Sequence, residues 1–126
     1  MRERVQVPKG KLAVTDVLRL RTAAGADLLA LYYDANGRLG VRNDTRGTQT
    51  GSATVLTQTA WHLVAVHLVV QGATSSVEVF LDGVRLNDIS GTDAYGTTPV
   101  GQVLAGESTT GRSYDTLIDD LSVDTR

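Results

Sequence analysis

Hydrolysis of a glycosidic bond with retention needs two carboxyl groups about 5 Å apart, one to protonate the leaving oxygen and one to attack. In this chain Glu78 stands alone between Val77 and Val79, Glu107 sits in a polar stretch, and Asp82 precedes Gly83 in the dipeptide of a tight turn. Asp119 and Asp120 are adjacent, and neighbouring strand residues project to opposite faces, so the two do not converge on one substrate atom. The same geometry separates the only histidines, His62 and His67, which lie on one apolar run with odd spacing. They fit neutral side chains packed at a sheet face better than a catalytic or metal-binding pair. There is no Gly-x-Ser-x-Gly elbow and no phosphate-binding glycine loop. With no cysteine the chain also lacks a thiolate for nucleophilic attack, for zinc or for iron–sulfur ligation. The expectation is a protein that binds and does not catalyse.

Two kinds of binding chemistry are open to it. Asp88, Asp93, Asp115, Asp119 and Asp120 place hard oxygen donors in or beside loops, as a calcium ion requires, though not at EF-hand spacing. The alternative is that these aspartates cap turns through their own backbone. Sugar recognition asks instead for flat aromatic faces and planar polar side chains. Trp61 opens the most apolar run and is read as core, while Tyr32 and Tyr33 are adjacent, so one of them points outward. Tyr95 and Tyr114 lie in polar loops with Asp93 and Arg112 nearby, and these four are the candidate ligand-binding set. The alternative for both rings is that they fold down over the end of the core. Asn43-Asp44-Thr45 matches a glycosylation acceptor, a pattern short enough to arise by chance. Arg19, Arg21, Arg38, Arg42 and Arg46 cluster on early strands and suggest a local basic face.

The elements that carry these residues read as strands. Residues 17–22 alternate, with Leu18 and Leu20 on one face and Arg19 and Arg21 on the other. Residues 28–34 and 39–43 form a hairpin about Asn36-Gly37, and residues 77–81 and 84–89 form another about Asp82-Gly83. Residues 61–71 are apolar on both faces, which predicts a central strand covered on both sides. Residues 2–7 read as a weak edge strand, 102–106 as a short rung and 116–123 as the last strand. Residues 44–59 are rich in Thr, Ser, Gly and Gln and read as a loop carrying one rung at Val55 and Leu56; residues 90–101 read as a second polar loop. No helical periodicity of useful length is present.

Bulk properties agree. A chain of 126 residues with 41% hydrophobic and 21% charged residues is one globular domain, 1–126. A net charge of −2 gives no pull toward nucleic acid. Its longest apolar stretch, 63–70, is far short of the roughly 20 residues of a membrane span. No apolar segment follows Met1-Arg2-Glu3-Arg4, so no secretory signal is read in the chain.

Four stretches occur together in an order that resembles the concanavalin A-like, laminin-G-like jelly-roll domains, accessory modules of bacterial extracellular proteins. They are Leu31-Tyr32-Tyr33-Asp34-Ala35-Asn36-Gly37-Arg38-Leu39-Gly40, Trp61-His62-Leu63-Val64-Ala65-Val66, Val77-Glu78-Val79-Phe80-Leu81-Asp82-Gly83 and Ile118-Asp119-Asp120-Leu121-Ser122-Val123. The likeness runs over residues 17–124, and the Glu-x-Asp-x-x-Glu run of the laminarinase-type members is missing. It implies an all-β antiparallel sandwich of jelly-roll type, an extracellular or cell-surface setting, and a calcium ion at a loop rim, for which Asp88, Asp115, Asp119 and Asp120 are the candidate ligands. The front is short for the family, as if strands that close the sheets were missing, which predicts an open edge and self-association into a homo-oligomer. The functional expectation is a lectin-like carbohydrate-binding module acting at the loops near Tyr95 and Tyr114. Its alternative is an assembly module that docks another protein chain on the 61–70 strand or the open edge.

Overall fold

The computed structural model describes residues 1–108 and 115–124. Among these residues eleven strands form two antiparallel sheets packed face to face, a β-sandwich. The first sheet has the order β11 (Leu117–Ser122), β1 (Arg2–Gln6), β6 (Trp61–Val69), β7 (Ser75–Leu81), β8 (Val84–Arg85), with β9 (Gly91–Asp93) also pairing β7. The second has the order β10 (Val100–Ala105), β2 (Thr15–Thr22), β3 (Asp27–Tyr33), β4 (Arg38–Asn43), β5 (Thr48–Val55). Between them lies a core of Val, Leu and Tyr side chains: Val5, Val64, Val66, Val77 and Val79 from the first sheet meet Leu20, Leu29, Leu31, Tyr33, Leu39 and Val41 from the second. Burying each such aliphatic side chain contributes about 1.5–3 kcal/mol. The Asp82-Gly83 hairpin has φ of 51° and 85° at its two central residues, the left-handed pair that a two-residue turn between twisted strands demands.

Several expectations need correction. Residues 2–7 are not an edge: β1 lies inside its sheet, paired to β6 on one side and to β11 on the other. Among the described residues the margins of this sheet are β11 on one side and β8 with β9 on the other, so it keeps open edges. Residues 44–59 are not a loop with one rung but contain an eight-residue strand, β5, paired to β4 at the margin of the second sheet. Backbone pairing makes that strand, and its exposed Thr, Gln and Gly side chains leave no hydrophobic alternation by which to detect it. Residues 91–93 of the second polar segment also pair, with β7.

The strand over residues 61–69 is covered on one face only. Val64 and Val66 point into the core, whereas Trp61 is 43% exposed on the outer face, with His67 and Val69 exposed beside it. Trp61 is thus not a core residue. Of the five arginines read as a basic face, Arg19, Arg21, Arg42 and Arg46 are paired with aspartates, and Arg38 stands exposed. Asp16, 1% exposed, accepts from Arg42 Nη1 at 3.2 Å and Nη2 at 3.0 Å and also from Arg19. Arg42 Nε reaches Asp44 at 2.7 Å, and Arg21 Nε reaches Asp27 at 2.5 Å. Three arginines and three aspartates lie alternately over the outer face of β2, β3 and β4, with Ala30 beneath, paired to Arg19 on one side and Arg42 on the other. Tyr32 lies across Gly40 of the neighbouring strand, and a Cβ there would enter its ring. Tyr33, on the inner face, shares a hydrogen bond of 2.6 Å with Thr116 and so anchors the approach to β11.

Glu3 breaks the core pattern. It lies in the inward row with Val5, is 0% exposed, and neither carboxyl oxygen has a hydrogen-bond partner. Burial pushes its carboxyl up to about 8. The unfolded side chain releases its proton near 4.5, so the folded chain holds a proton that the unfolded chain gives up. Stability is complete below the unfolded value and falls at about 1.4 kcal/mol per pH unit until the folded value is passed. Urea unfolding of the native chain is expected to show a loss of a few kcal/mol between these two pH values, and Glu3→Gln to flatten that slope; an unchanged slope refutes the assignment. Gly40→Ala is expected to cost about 1–3 kcal/mol by the same measurement, because the Tyr32 ring is buried and cannot step aside freely.

Candidate functional site

The turn between β4 and β5 is organised by one side chain. Asn43, buried at the end of β4, accepts at Oδ1 from Thr45 N (3.1 Å), Thr45 Oγ1 (2.6 Å) and Arg46 N (3.3 Å). Its Nδ2 donates to Asp93 Oδ2 and to the Ala94 carbonyl, both at 2.9 Å. Asn43 thus shapes its own turn and ties the second sheet to the segment after β9. Its side chain is engaged at both ends and buried, so the glycosylation-like triplet is a structural turn. Arg46 Nη1 pairs with Asp93 Oδ1 at 2.6 Å, and the Ala94 N–H donates to the same oxygen at 2.8 Å. The Asn43 amide first, then Arg46 and the Ala94 N–H, hold the Asp93 carboxyl below its ordinary range against the effect of burial.

A second tie runs parallel to this one. The 3₁₀ turn Asn87–Ile89 carries Asp88 against β5, where its two oxygens accept from Ser52 Oγ at 2.9 Å each and from Ala53 N at 2.9 Å. Those bonds, the Ala53 N–H foremost, keep the Asp88 carboxyl low. Between the two ties the sheets part into a cleft of about 150 Å³. Val41, Val77, Ile89 and Tyr95 give it an apolar floor, and Asn43, Thr48, Thr50, Thr92, Asp88 and Asp93 give it a polar rim.

Of the candidate ligand-binding residues, Asp93 and Tyr95 meet at this cleft. Tyr95 does not stand open on a loop: it is 1% exposed, folded down into the core end, and burial together with the charges of Asp93 and Asp44 pushes its hydroxyl up to about 12. Arg112 and Tyr114 lie outside the described residues. The calcium candidates do not gather. Asp88 lies by the β8 margin of the first sheet, whereas Asp115, Asp119 and Asp120 lie on or just before β11, at the opposite margin. Asp120 pairs with Arg4 at 3.6 Å. Among the described residues no group of three His, Cys, Asp or Glu side chains is placed to share an ion. Asp88 is therefore separated from the other three by the width of the sheet.

The histidines lie on opposite faces. His62 Nδ1 is 2.8 Å from Asp82 Oδ2, and its Nε2 is 3.2 Å from the Thr57 carbonyl; His67 Nδ1 is 3.3 Å from Glu78 Oε2 on the outer surface. Sequence reasoning missed Asn43, Arg46, Thr48 and Thr50 as parts of the site. The signal was present in Asn43-Asp44-Thr45-Arg46-Gly47, a run whose Asn side chain and glycine make a turn, but the polar stretch after it hid the strand that brings the threonines to the rim. Compared with known proteins, the sequence matches no family model and no curated protein.

Proposed function

We propose that the chain is a non-catalytic binding module that recognises a neutral sugar ring in the cleft between the β4–β5 turn and residues 88–95, in an extracellular or cell-surface setting. The observation that carries this reading is the lining of the cleft. Two ionised carboxylates, Asp88 and Asp93, retain acceptor capacity for sugar hydroxyls, since a carboxylate offers about four lone-pair sites. The hydroxyls of Thr48, Thr50 and Thr92 add donors and acceptors, and the apolar floor suits the C–H face of a ring. Acidic rims repel anions, which favours an uncharged ligand here. The jelly-roll likeness seen in the sequence points the same way.

A second reading, docking of another protein chain or of a second copy, is favoured by the outer face of the first sheet. There Trp61, Leu63, Ala65 and Phe80 lie on neighbouring strands, with Val69 exposed on the same face. The long exposed margin strand β5 offers a further surface for pairing.

A glycan array with the whole chain separates the two. The cleft reading expects binding to a class of neutral glycans, lost by about tenfold or more in Thr50→Val, an exposed rim change that leaves both ties intact, and in Asp93→Ala. The same array with and without EDTA tests calcium assistance: loss of binding on chelation assigns an ion to the free acceptor sites of Asp88 and Asp93, and unchanged binding assigns those sites to the sugar alone. Silence on the array together with concentration-dependent association in sedimentation replaces the cleft reading with the docking one.

A further inference from the structure

We propose that a second cleft, at the other end of the β4–β5 hairpin, binds a carboxylate-bearing sugar of the uronic acid class. It goes beyond the first reading, because none of its residues is shared with the Asp93 cleft.

This cleft measures about 350 Å³, inside the range of small-molecule sites and larger than the Asp93 cleft. It opens where the loop between β1 and β2, the β3–β4 turn and the segment after β5 come together. Leu12 and the exposed side chain of Val55 form an apolar wall. Asn36, Thr57 and Gln58 supply amide and hydroxyl groups of the kind that pair with sugar hydroxyls. Gln58 is held in place, its Nε2 donating to the Gly10 carbonyl at 2.8 Å.

Charge selects the ligand. Lys11 lines the cleft, and no carboxylate among the described residues does. The chain has two lysines in all, Lys9 and Lys11, and both lie exposed on the loop that forms this wall. Arg38 follows the β3–β4 turn and is also exposed. The acid of that turn, Asp34, is engaged in the backbone, accepting at Oδ1 from Asn36 N at 2.8 Å and Arg38 N at 2.9 Å. An ammonium group beside planar amides and an apolar wall matches a sugar that carries one carboxylate, three hydroxyls or more, and a C–H face. A neutral sugar lacks a partner for Lys11, and a bare anion leaves the wall and the amides unused.

Amide NMR titrations of the full chain with D-glucuronate, D-glucose and acetate at matched ionic strength test this. Glucuronate is expected to shift the signals of Lys11, Asn36, Gly37 and Gln58 with a dissociation constant on the order of 1 mM, and to weaken about tenfold in Lys11→Glu. The same titration at higher salt is expected to weaken further as the ion pair is screened. Lys11 is exposed, so the variant keeps its fold, which its own spectrum verifies. Equal shifts with glucose, equal shifts with acetate, an unchanged constant in Lys11→Glu, or shifts confined to Asn43 and Asp93 each overturn the proposal. The last outcome would leave the first cleft as the sugar site, so the two readings fail separately.

Discussion

Asp16 is a carboxylate almost without water, and it is tolerable only because two guanidinium groups close over it from different strands. Removing an ion from water costs several kcal/mol, and the attraction of its partners offsets this only when the geometry is good. Here Arg42 reaches across from β4 with two nitrogens, and Arg19 lies on the same strand as the acid. The β3 strand between them must be low enough to pass underneath, which Ala30 satisfies, and β4 must leave room for the Tyr32 ring, which Gly40 satisfies. The Asp16 N–H in turn donates to Glu107, so the segment leaving β10 is tied to the same point. Both faces of β2, β3 and β4 are consequently packed, and the turns at either end of β4 spring from a stiff base. That stiffness lets Asn43 and Gly37 present the two clefts at fixed places.

Where a side chain's environment follows from its immediate neighbours, the sequence was legible. Asp82-Gly83 turned as its backbone preference requires, and Val77, Val79 and Leu81 alternate inward as written. Legibility failed where tertiary pairing decides. β5 is a strand because β4 lies beside it, and no periodicity in Thr48 to Val55 reports that. Trp61 is outward because the even residues Val64 and Val66 took the core side of a strand whose two faces were equally apolar; periodicity had no means of choosing between them. Glu3 disguised β1, since a charged residue in the inward row erases the pattern that would have placed the strand inside its sheet. At the site, Asp93 was legible as a loop acid and Tyr95 as a loop aromatic, but whether that ring faced solvent or core depended on the Asn43 tie from a distant strand.

The two ends of the hairpin differ in charge although the whole chain is nearly neutral. Asp44, Asp88 and Asp93 gather at one end, with Arg42 paired to Asp44 and Arg46 to Asp93, while Lys9, Lys11 and Arg38 gather at the other. Such segregation gives each cleft its own charge character by the sign of what it repels.

The lone tryptophan has a practical consequence. In a typical domain the indole sits in the core, and its emission moves to longer wavelength when the chain unfolds. In this chain it already meets water on the outer face of the first sheet, between Gln6 on the adjacent strand and open solvent. Its emission is therefore a poor gauge of folding and a direct optical gauge of whatever comes to rest on that face.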